Sequence, residues 1–523
     1  MIKSKLTGLA SSTWLIHLSE TKTMPLSQSM KLPHFYISVA GFGLLGCTIK
    51  PAPKGAEILT DAAKAEIPSN WQASNDSRPL VPGWIRSFND STLTRIVEDA
   101  LIRNPDLKSA YALVEASQAA VRVTAASLYP RVAMKGLGER QGREMSGNLG
   151  LGINPPDLGS IGVDLSGGST DINTVDSSMG RWITGIGIGA SWEADVWGRV
   201  RSKRASARAD SAALEADYEF ARQSLAASVA KAYFSTIEAS QQASNAREAL
   251  GLYEEYVSLT GKRKEQGFSS DYELAQLKSR TAGAQDTLYA AEAARAQAIR
   301  AIEVVTSYYP SGKLSVRASF PPQVRSVPSG LPSELLERRP DLIAAERRFA
   351  ASFHRAKEAR AARLPRFALS ANGGLGTAQL DGVGVVNAVN WTLANGIVQP
   401  IFFGGELKAA EDIRKAEQRA AAASYTSTAL QAFKQVEDAL DSDYHLRRRE
   451  GALNDMVTHS ATAVKLGKVQ LDQGQTDMFT ILRLVGENLA AKMELTKIRA
   501  SRLRERANLH LALGGDFRAP SGK

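Results

Sequence analysis

Two stretches of 69 residues, each running from glycine to glycine without a proline, constrain this chain more than anything else in it: Gly198 to Gly267 and Gly405 to Gly474. They are offset by 207 residues. At that offset Val200 falls on Leu407, Val229 on Val436, Leu259 on Leu466, Gln266 on Gln473, Tyr272 on Phe479 and Leu277 on Leu484. Residues 157–309 and 401–519 lack proline altogether, although the chain has 20. Proline removes an amide donor and clashes with the preceding turn, so a long alanine-rich stretch without it reads as helix. At 1.5 Å per residue such a helix is roughly 100 Å long. A globular core rarely needs that length, whereas a tube crossing a compartment does.

A second repeat precedes each long stretch. Asn104-Pro105-Asp106-Leu107 opens a helix, with proline in its first turn, that stops at Tyr129-Pro130-Arg131; Arg339-Pro340-Asp341-Leu342 opens another that stops at Leu364-Pro365-Arg366. Proline to proline is 25 residues in both copies, at an offset of 235. The offsets differ by 28 residues, so copy one carries that much extra length between Pro130 and Gly198. Residues 139–181, dense in Gly, Ser, Asp and Asn, read as the loop that holds it.

Between the short and long helices each copy has a pair of strand-like runs, near 131–141 and 182–193 in copy one and near 366–377 and 386–399 in copy two. Trp182, Thr184, Ile186, Ile188, Ala190 and Trp192 alternate with small or polar residues. Period-two runs with one apolar face, bounded by aromatics, suit barrel strands facing lipid. No later stretch reaches 18 consecutive apolar residues, so a membrane crossing by this chain requires a β-barrel. One chain supplies four strands, and about eight are needed even for a barrel filled by its own side chains. The chain must therefore oligomerise to close its edges, and three copies would give about twelve strands around a water-filled lumen.

The apolar run from Phe35 to Gly46 has the length of a signal-peptide core. Leu44-Leu45-Gly46-Cys47 resembles a bacterial lipobox, in which Cys47 becomes the lipidated first residue of the mature protein; the alternatives are a signal peptide cut elsewhere or a buried lone cysteine. Thr48 is not the aspartate that holds many lipoproteins at the inner membrane, which points to the outer one. Residues 1–29 suit neither a signal sequence nor a helix, so translation is expected to start at Met30 or Met24. The expected organisation is a signal peptide over 1–46, a lipidated extended tether over 47–83, repeat one over 84–309, a proline-rich connector over 310–333, repeat two over 334–515 and a tail over 516–523.

From Cys47 onward 60 basic residues oppose 53 acidic ones, interleaved along helices, which describes solvated helix faces rather than a nucleic-acid surface. Cys47 is the only cysteine, which rules out an intrachain disulfide. The six histidines form no ligand-spaced pair, and no nucleophile elbow, phosphate loop or HExxH occurs. Gly185-Ile186-Gly187-Ile188-Gly189 lies inside a strand and lacks the strand–turn–helix setting of a dinucleotide site. The expectation is a non-enzyme with no metal or cofactor beyond a covalent lipid.

These motifs together resemble the outer-membrane efflux factors of the TolC type, specifically their lipoprotein branch called NodT. The carriers are the lipobox, Asn104-Pro105-Asp106-Leu107, Tyr129-Pro130-Arg131, Asp195-Val196-Trp197-Gly198-Arg199, Ala301-Ile302-Glu303-Val304 with Tyr309-Pro310, Leu335 to Leu342, Pro400-Ile401-Phe402 and Ala512-Leu513-Gly514-Gly515. The resemblance spans Trp84 to Gly515. It implies an α+β membrane protein: a homotrimer whose twelve-stranded barrel in the outer membrane of a Gram-negative bacterium stands on an α-helical tunnel through the periplasm. It also implies the exit duct of a tripartite pump that expels small toxic molecules, with a periplasmic adaptor and an inner-membrane RND-type transporter as partners. An exit channel for type I protein secretion is the alternative within transport, and a structural periplasm-spanning coiled coil is the alternative of another class. By the same resemblance Gly267, Phe268, Ser269, Ser270, Gly474, Gln475 and Thr476 form the tip that docks the adaptor. Asp271, Glu273 and Asp477 would line the periplasmic aperture; Arg483 stands where an acid is common and would pair with one.

Overall fold

The computed structural model describes residues 51–63, 68–73, 78, 82–143, 179–321, 327–380 and 384–516. The expected signal peptide and Cys47 lie outside the described residues. Of the loop expected over 139–181, residues 139–143 and 179–181 are instead strand, because antiparallel pairing of the two strands of copy one continues through them, and the remainder lies outside the described residues.

In chain order the helices and strands are α1 (Gly55–Ala63), α2 (Ser91–Arg103), α3 (Pro105–Ala126), β1 (Arg131–Arg143), β2 (Met179–Ala194), α4 (Arg199–Glu265), α5 (Asp271–Val305), α6 (Pro332–Arg338), α7 (Pro340–Ala361), β3 (Arg366–Leu380), β4 (Gly384–Val398), α8 (Glu406–Asp472) and α9 (Met478–Ala512). The two copies match residue for residue in helix length: 22 in α3 and α7, 67 in α4 and α8, 35 in α5 and α9. A 67-residue helix is flanked along one part by the 22-residue helix and along another by the 35-residue helix. The neighbour relations give one layer in the order α3–α4–α7–α8 towards the strands, and α5–α4–α9–α8 towards the hairpin turns. The flanks of that layer are α3 and α5 on one side and α8 on the other.

The strands form a single antiparallel sheet in the order β1-β2-β3-β4. β1 and β4 are its edges. Each edge strand continues into a flanking helix, β1 from α3 and β4 into α8, so sheet and helix layer are open along the same two sides.

Among the described residues three apolar clusters pack the helices. A cluster at the hairpins joins Tyr253, Tyr256 and Leu277 of copy one to Leu471, Ile481 and Val485 of copy two. Two lie nearer the strands. One joins Trp84, Phe88, Leu93 and Ile96 to Tyr233, Phe234 and Ile237 of α4 and Ile302 of α5. Asp90 caps α2 through the amides of Thr92 and Leu93 and accepts the Tyr233 hydroxyl at 2.9 Å. The other joins α6, α7 and α8 to the end of α9. There the buried Arg339 guanidinium donates to both Asp341 oxygens, to the Ala512 carbonyl and to Gln435, tying the start of α7 to the last turn of α9. Asn104, its counterpart in copy one, instead caps α3 through the Leu107 amide.

The N-terminal stretch departs from the extended tether expected for 47–83. Residues 55–63 form α1, which packs on α8. Ile58, Leu59 and Trp71 are buried in the cluster around α6, α7 and α8, with Trp71 only 3% exposed and its indole donating to the Ser329 carbonyl. Glu437 accepts the amides of Gln72 and Ala73, both at 2.9 Å. Three apolar side chains and a few backbone donors suffice to fold this stretch onto the body, although its composition is that of a linker. The connector is also shorter than expected, because α6 already begins at Pro332.

His510, in the last turn of α9, is buried and stacked on Trp84 at 5.1 Å, and neither ring nitrogen has a hydrogen-bond partner. Burial, assisted by the Arg506 charge, pushes its pKa down to about 3. The folded protein therefore keeps the ring neutral where the unfolded chain takes up a proton. Its contribution is fully present above the ordinary histidine value and is lost as pH falls below about 6.5. Between pH 7 and pH 4 this group should remove about 3 kcal/mol of stability. His510→Phe should show a shallower fall in unfolding midpoint over that range; equal slopes would contradict the assignment.

Candidate functional site: sheet faces and hairpin tips

Cross-strand register sorts the sheet into two chemically distinct faces. On one face Met134 pairs with Ile188, Ile186 with Leu375, Leu375 with Val389, and Ala371 with Leu393. Val132, Trp391 and Ile397 extend it, and the large side chains are exposed, Trp391 at 81%. On the other face Lys135 pairs with Gly187, Gly187 with Gly374, and Gly374 with Asn390. Ala133, Ser191, Ser370, Asn372 and Thr392 share that face by the alternation of the strands. The small side chains are required where β2 and β3 approach. A Cβ on Gly185 would lie 3.1 Å from the Leu375 carbonyl oxygen, and one on Gly374 would lie 3.1 Å from that of Ile186. An isolated sheet in water does not leave a wide apolar face bare; a sheet with lipid on one side and water on the other has this division.

Indoles tie the sheet to the helices. Trp192 donates to the Leu128 carbonyl at 3.0 Å and Trp197 to the Pro365 carbonyl at 2.9 Å, so each latches onto the turn before a strand. Asp195 accepts the amides of Val200 and Arg201 and thereby starts α4. Pro400 is followed by Ile401, Phe402 and Phe403, all exposed, where β4 gives way to α8.

At the opposite end of the long helices the two hairpin turns share one backbone design. The Phe268 amide bonds the Arg263 carbonyl and the Gly267 amide bonds that of Lys264; Gln475 and Gly474 do the same to Gln470 and Leu471. These are Schellman closures, which need a left-handed residue after the helix. Gly267 has φ 81° and Gly474 φ 72°. Phe268 and Gln475 are then exposed, Phe268 at 73%, while Ser269 and Thr476 are half-buried. Ser270 begins α5 in a reciprocal box with Glu273, and Asp477 begins α9 by accepting the Thr480 amide at 2.8 Å.

The charged residues of the tips are engaged within the chain. Glu273 reaches back to the Ser270 amide, Asp271 pairs with Lys264, and the Thr480 amide holds the Asp477 carboxyl below the usual carboxylate range. Arg483 pairs with Glu487 one turn along α9 at 2.7 Å. Tyr272 and Phe479, at matched positions in the two copies, meet at 5.9 Å between ring centres. The 207-residue offset already aligned these two. Glu255–Lys468 and Glu248–Lys492 link the hairpins further up, and no sequence spacing marked them. Among the described residues no helix is long and apolar enough to cross a membrane, a statement about helices alone.

The outer membrane efflux protein family profile matches residues 96–306 and 331–515. A pyoverdine export outer membrane protein, OpmQ of Pseudomonas putida, is 29% identical over 496 residues, covering 94% of this chain and 99% of that protein. The toluene efflux pump outer membrane protein TtgC of Pseudomonas putida is 28% identical over 490 residues, covering 93% and 96%. Among solved structures, the outer-membrane channel OprN superimposes with a TM-score of 0.76 at 24% identity, covering 90% of this chain and 100% of that one. The open state of the MtrE outer membrane channel of Neisseria gonorrhoeae gives 0.73 at 26% identity, covering 88% and 97%.

The tip geometry makes opposite predictions for Gly474, just past the end of α8, and for Gly451 within it. A Cβ added to Gly474 or to Gly451 meets nothing within 4 Å, so only backbone conformation counts. Gly474→Ala forces a left-handed alanine and should cost about 1–2 kcal/mol, read as faster amide exchange in the turn. Gly451→Ala lies mid-helix and should stabilise by up to about 1 kcal/mol. Loss of protection in both would contradict the Schellman assignment.

Proposed function

The chain belongs to the outer membrane efflux protein family, and from that membership we propose that it is the outer-membrane exit duct of a tripartite efflux pump. In this reading it passively conducts small toxic molecules from periplasm to exterior and performs no chemistry. The observation that carries the reading is the coincidence of two open sheet edges with two open helical flanks, below a sheet that is apolar on one face and small or polar on the other. A sheet edge in lipid leaves amides and carbonyls without water, which costs several kcal/mol per group. Joining β1 and α3 of one copy to β4 and α8 of the next satisfies those groups, and such a head-to-tail contact closes when its rotation completes a ring. Three copies give twelve strands around a water-filled lumen.

A lipid on Cys47 fits the same frame. Gly55 is eight Cα steps from Cys47, a span that can reach about 27 Å when extended. Gly55 lies against Tyr425, 19 residues into α8, which is about 28 Å of helix. The two lengths are nearly equal, so a lipid on Cys47 would come close to the level of the exposed Ile401 and Phe402 at the base of the sheet, which supports anchoring in the outer membrane with the helices in the periplasm.

The partners are a periplasmic adaptor at the hairpin tips and an inner-membrane RND-type transporter behind it. Phe268, Ser269, Ser270, Gln475 and Thr476, with the glycines that turn the chain, are the docking residues. Asp271, Glu273, Asp477 and the Arg483–Glu487 pair stand beside them as aperture residues. The expected test outcome is an adaptor adduct from Phe268→Cys and Gln475→Cys when each is crosslinked in intact cells, and none from Met134→Cys on the apolar sheet face. Adducts at Met134→Cys, or none at either tip, would contradict the orientation.

A further inference from the structure

At its base, where the strands leave the short helices, the small-residue face of the sheet carries three cations; Glu139, four residues beyond Lys135 along β1, is the next acid on that strand face. Arg131 and Arg366 are the first residues of β1 and β3, at the matched Pro-Arg positions of the two copies. Lys135 stands on the same face as Arg131, four residues along β1, about 13 Å further into the sheet. All three are exposed, and among the described residues none of them enters an ion pair. Glu139 lies about 13 Å further along β1 than Lys135, and the acids where the sheet meets the helices are already committed. Glu193 is bound twice by Arg199, Asp195 holds Arg201 and the start of α4, and Glu411 holds Lys415 and Arg363.

The rung that carries Lys135 is otherwise Gly187, Gly374 and Asn390. No side chain of that rung bonds the ammonium as an anion would. Val132 and Phe367, the residues that follow the two arginines, point to the opposite, apolar face, so the arginines themselves are directed away from lipid by the alternation of the strands.

We propose that Arg131, Lys135 and Arg366 form a cationic collar on the water-filled side of the barrel, which raises the local concentration of anionic solutes and disfavours cations in that section. The proposal rests on the exit-duct reading. In a ring of three copies the arginines repeat as a six-membered girdle at the base of the barrel, with three lysines above it. Rings of like side-chain charge set the sign preference of a pore. With a screening length of about 8 Å at physiological salt, the collar acts on solutes passing near the wall and weakens as salt rises. The tip acids lie at the far end of helices 67 residues long, many screening lengths away, so the two ends of the conduit differ in charge preference.

Ala133 sits between Arg131 and Lys135 on the same face, about 7 Å from each along the strand. Ala133→Cys is therefore a local probe of the potential. In the full-length protein in lipid bilayers, its modification would be timed with methanethiosulfonates carrying a sulfonate or a quaternary ammonium, each normalised to free cysteine, with the unsubstituted chain as background. The sulfonate should react about tenfold faster than the ammonium at low salt, and the ratio should fall towards one when Arg131→Gln and Lys135→Gln are added. Met134→Cys, on the other face, should resist both reagents. A ratio near one for Ala133→Cys alone, or one unchanged by the neutralising substitutions, would overturn the collar while leaving the duct intact. Modification of Met134→Cys with protection of Ala133→Cys would invert the faces and overturn collar and duct together.

Discussion

Unpaired backbone at the edges of the four-stranded sheet is the constraint on which the rest depends. β1 and β4 each present a row of amides and carbonyls with no partner in the chain. Water could satisfy those groups, but the apolar face beside them calls for lipid, where nothing can. The helices repeat the problem in another form. α3, α5 and α8 flank a layer whose middle is packed and whose sides are not, and Tyr111, Leu113, Leu430 and Leu466 stand exposed along those sides. A structure open on two opposite sides, in sheet and helices alike, is completed most simply by further copies of itself.

Duplication supplies the means. Equal helix lengths place the turns of both hairpins at one level, and the shared Schellman closure points both connections the same way. The copies diverge where their surroundings differ. Asn104 caps its own helix, whereas Arg339 also holds the end of α9 through the Ala512 carbonyl. In copy one the end of α5 is held differently, by Tyr308, which donates to Asp99 and lies against Arg103. The α5 tip begins with a serine box and the α9 tip with an aspartate, so identical backbones carry different charge. In the proposed ring of three copies, this likeness within a chain would give pseudo-sixfold walls that remain free to treat the two hairpins separately.

Much of this was legible in the residues because long-range periodicity survives divergence better than side-chain contacts do. Two offsets, four prolines and four glycines located the helices, strands and turns, since each punctuates the backbone for a steric reason that a neighbour cannot replace. Alternation in β2 gave the apolar face for the same reason. The N-terminal stretch was misread as an extended tether because Ile58, Leu59 and Trp71 are sparse in a polar context; their burial depends on a groove made by α7, α8 and the connector, which no local pattern encodes. The acids beside the hairpin turns were legible as such, but not as the helix caps and intrachain partners that Glu273, Asp477 and Asp271 turn out to be. Such roles depend on one or two hydrogen bonds, and sequence spacing alone leaves them open.

Native mass spectrometry of the full-length protein, released gently from membranes, tests edge closure most directly. Ring closure predicts a single species of three chain masses that persists on dilution, because a closed ring leaves no edge on which a fourth copy could add. A monomer whose edges stay unpaired, or a ladder of species with no preferred size, would contradict it.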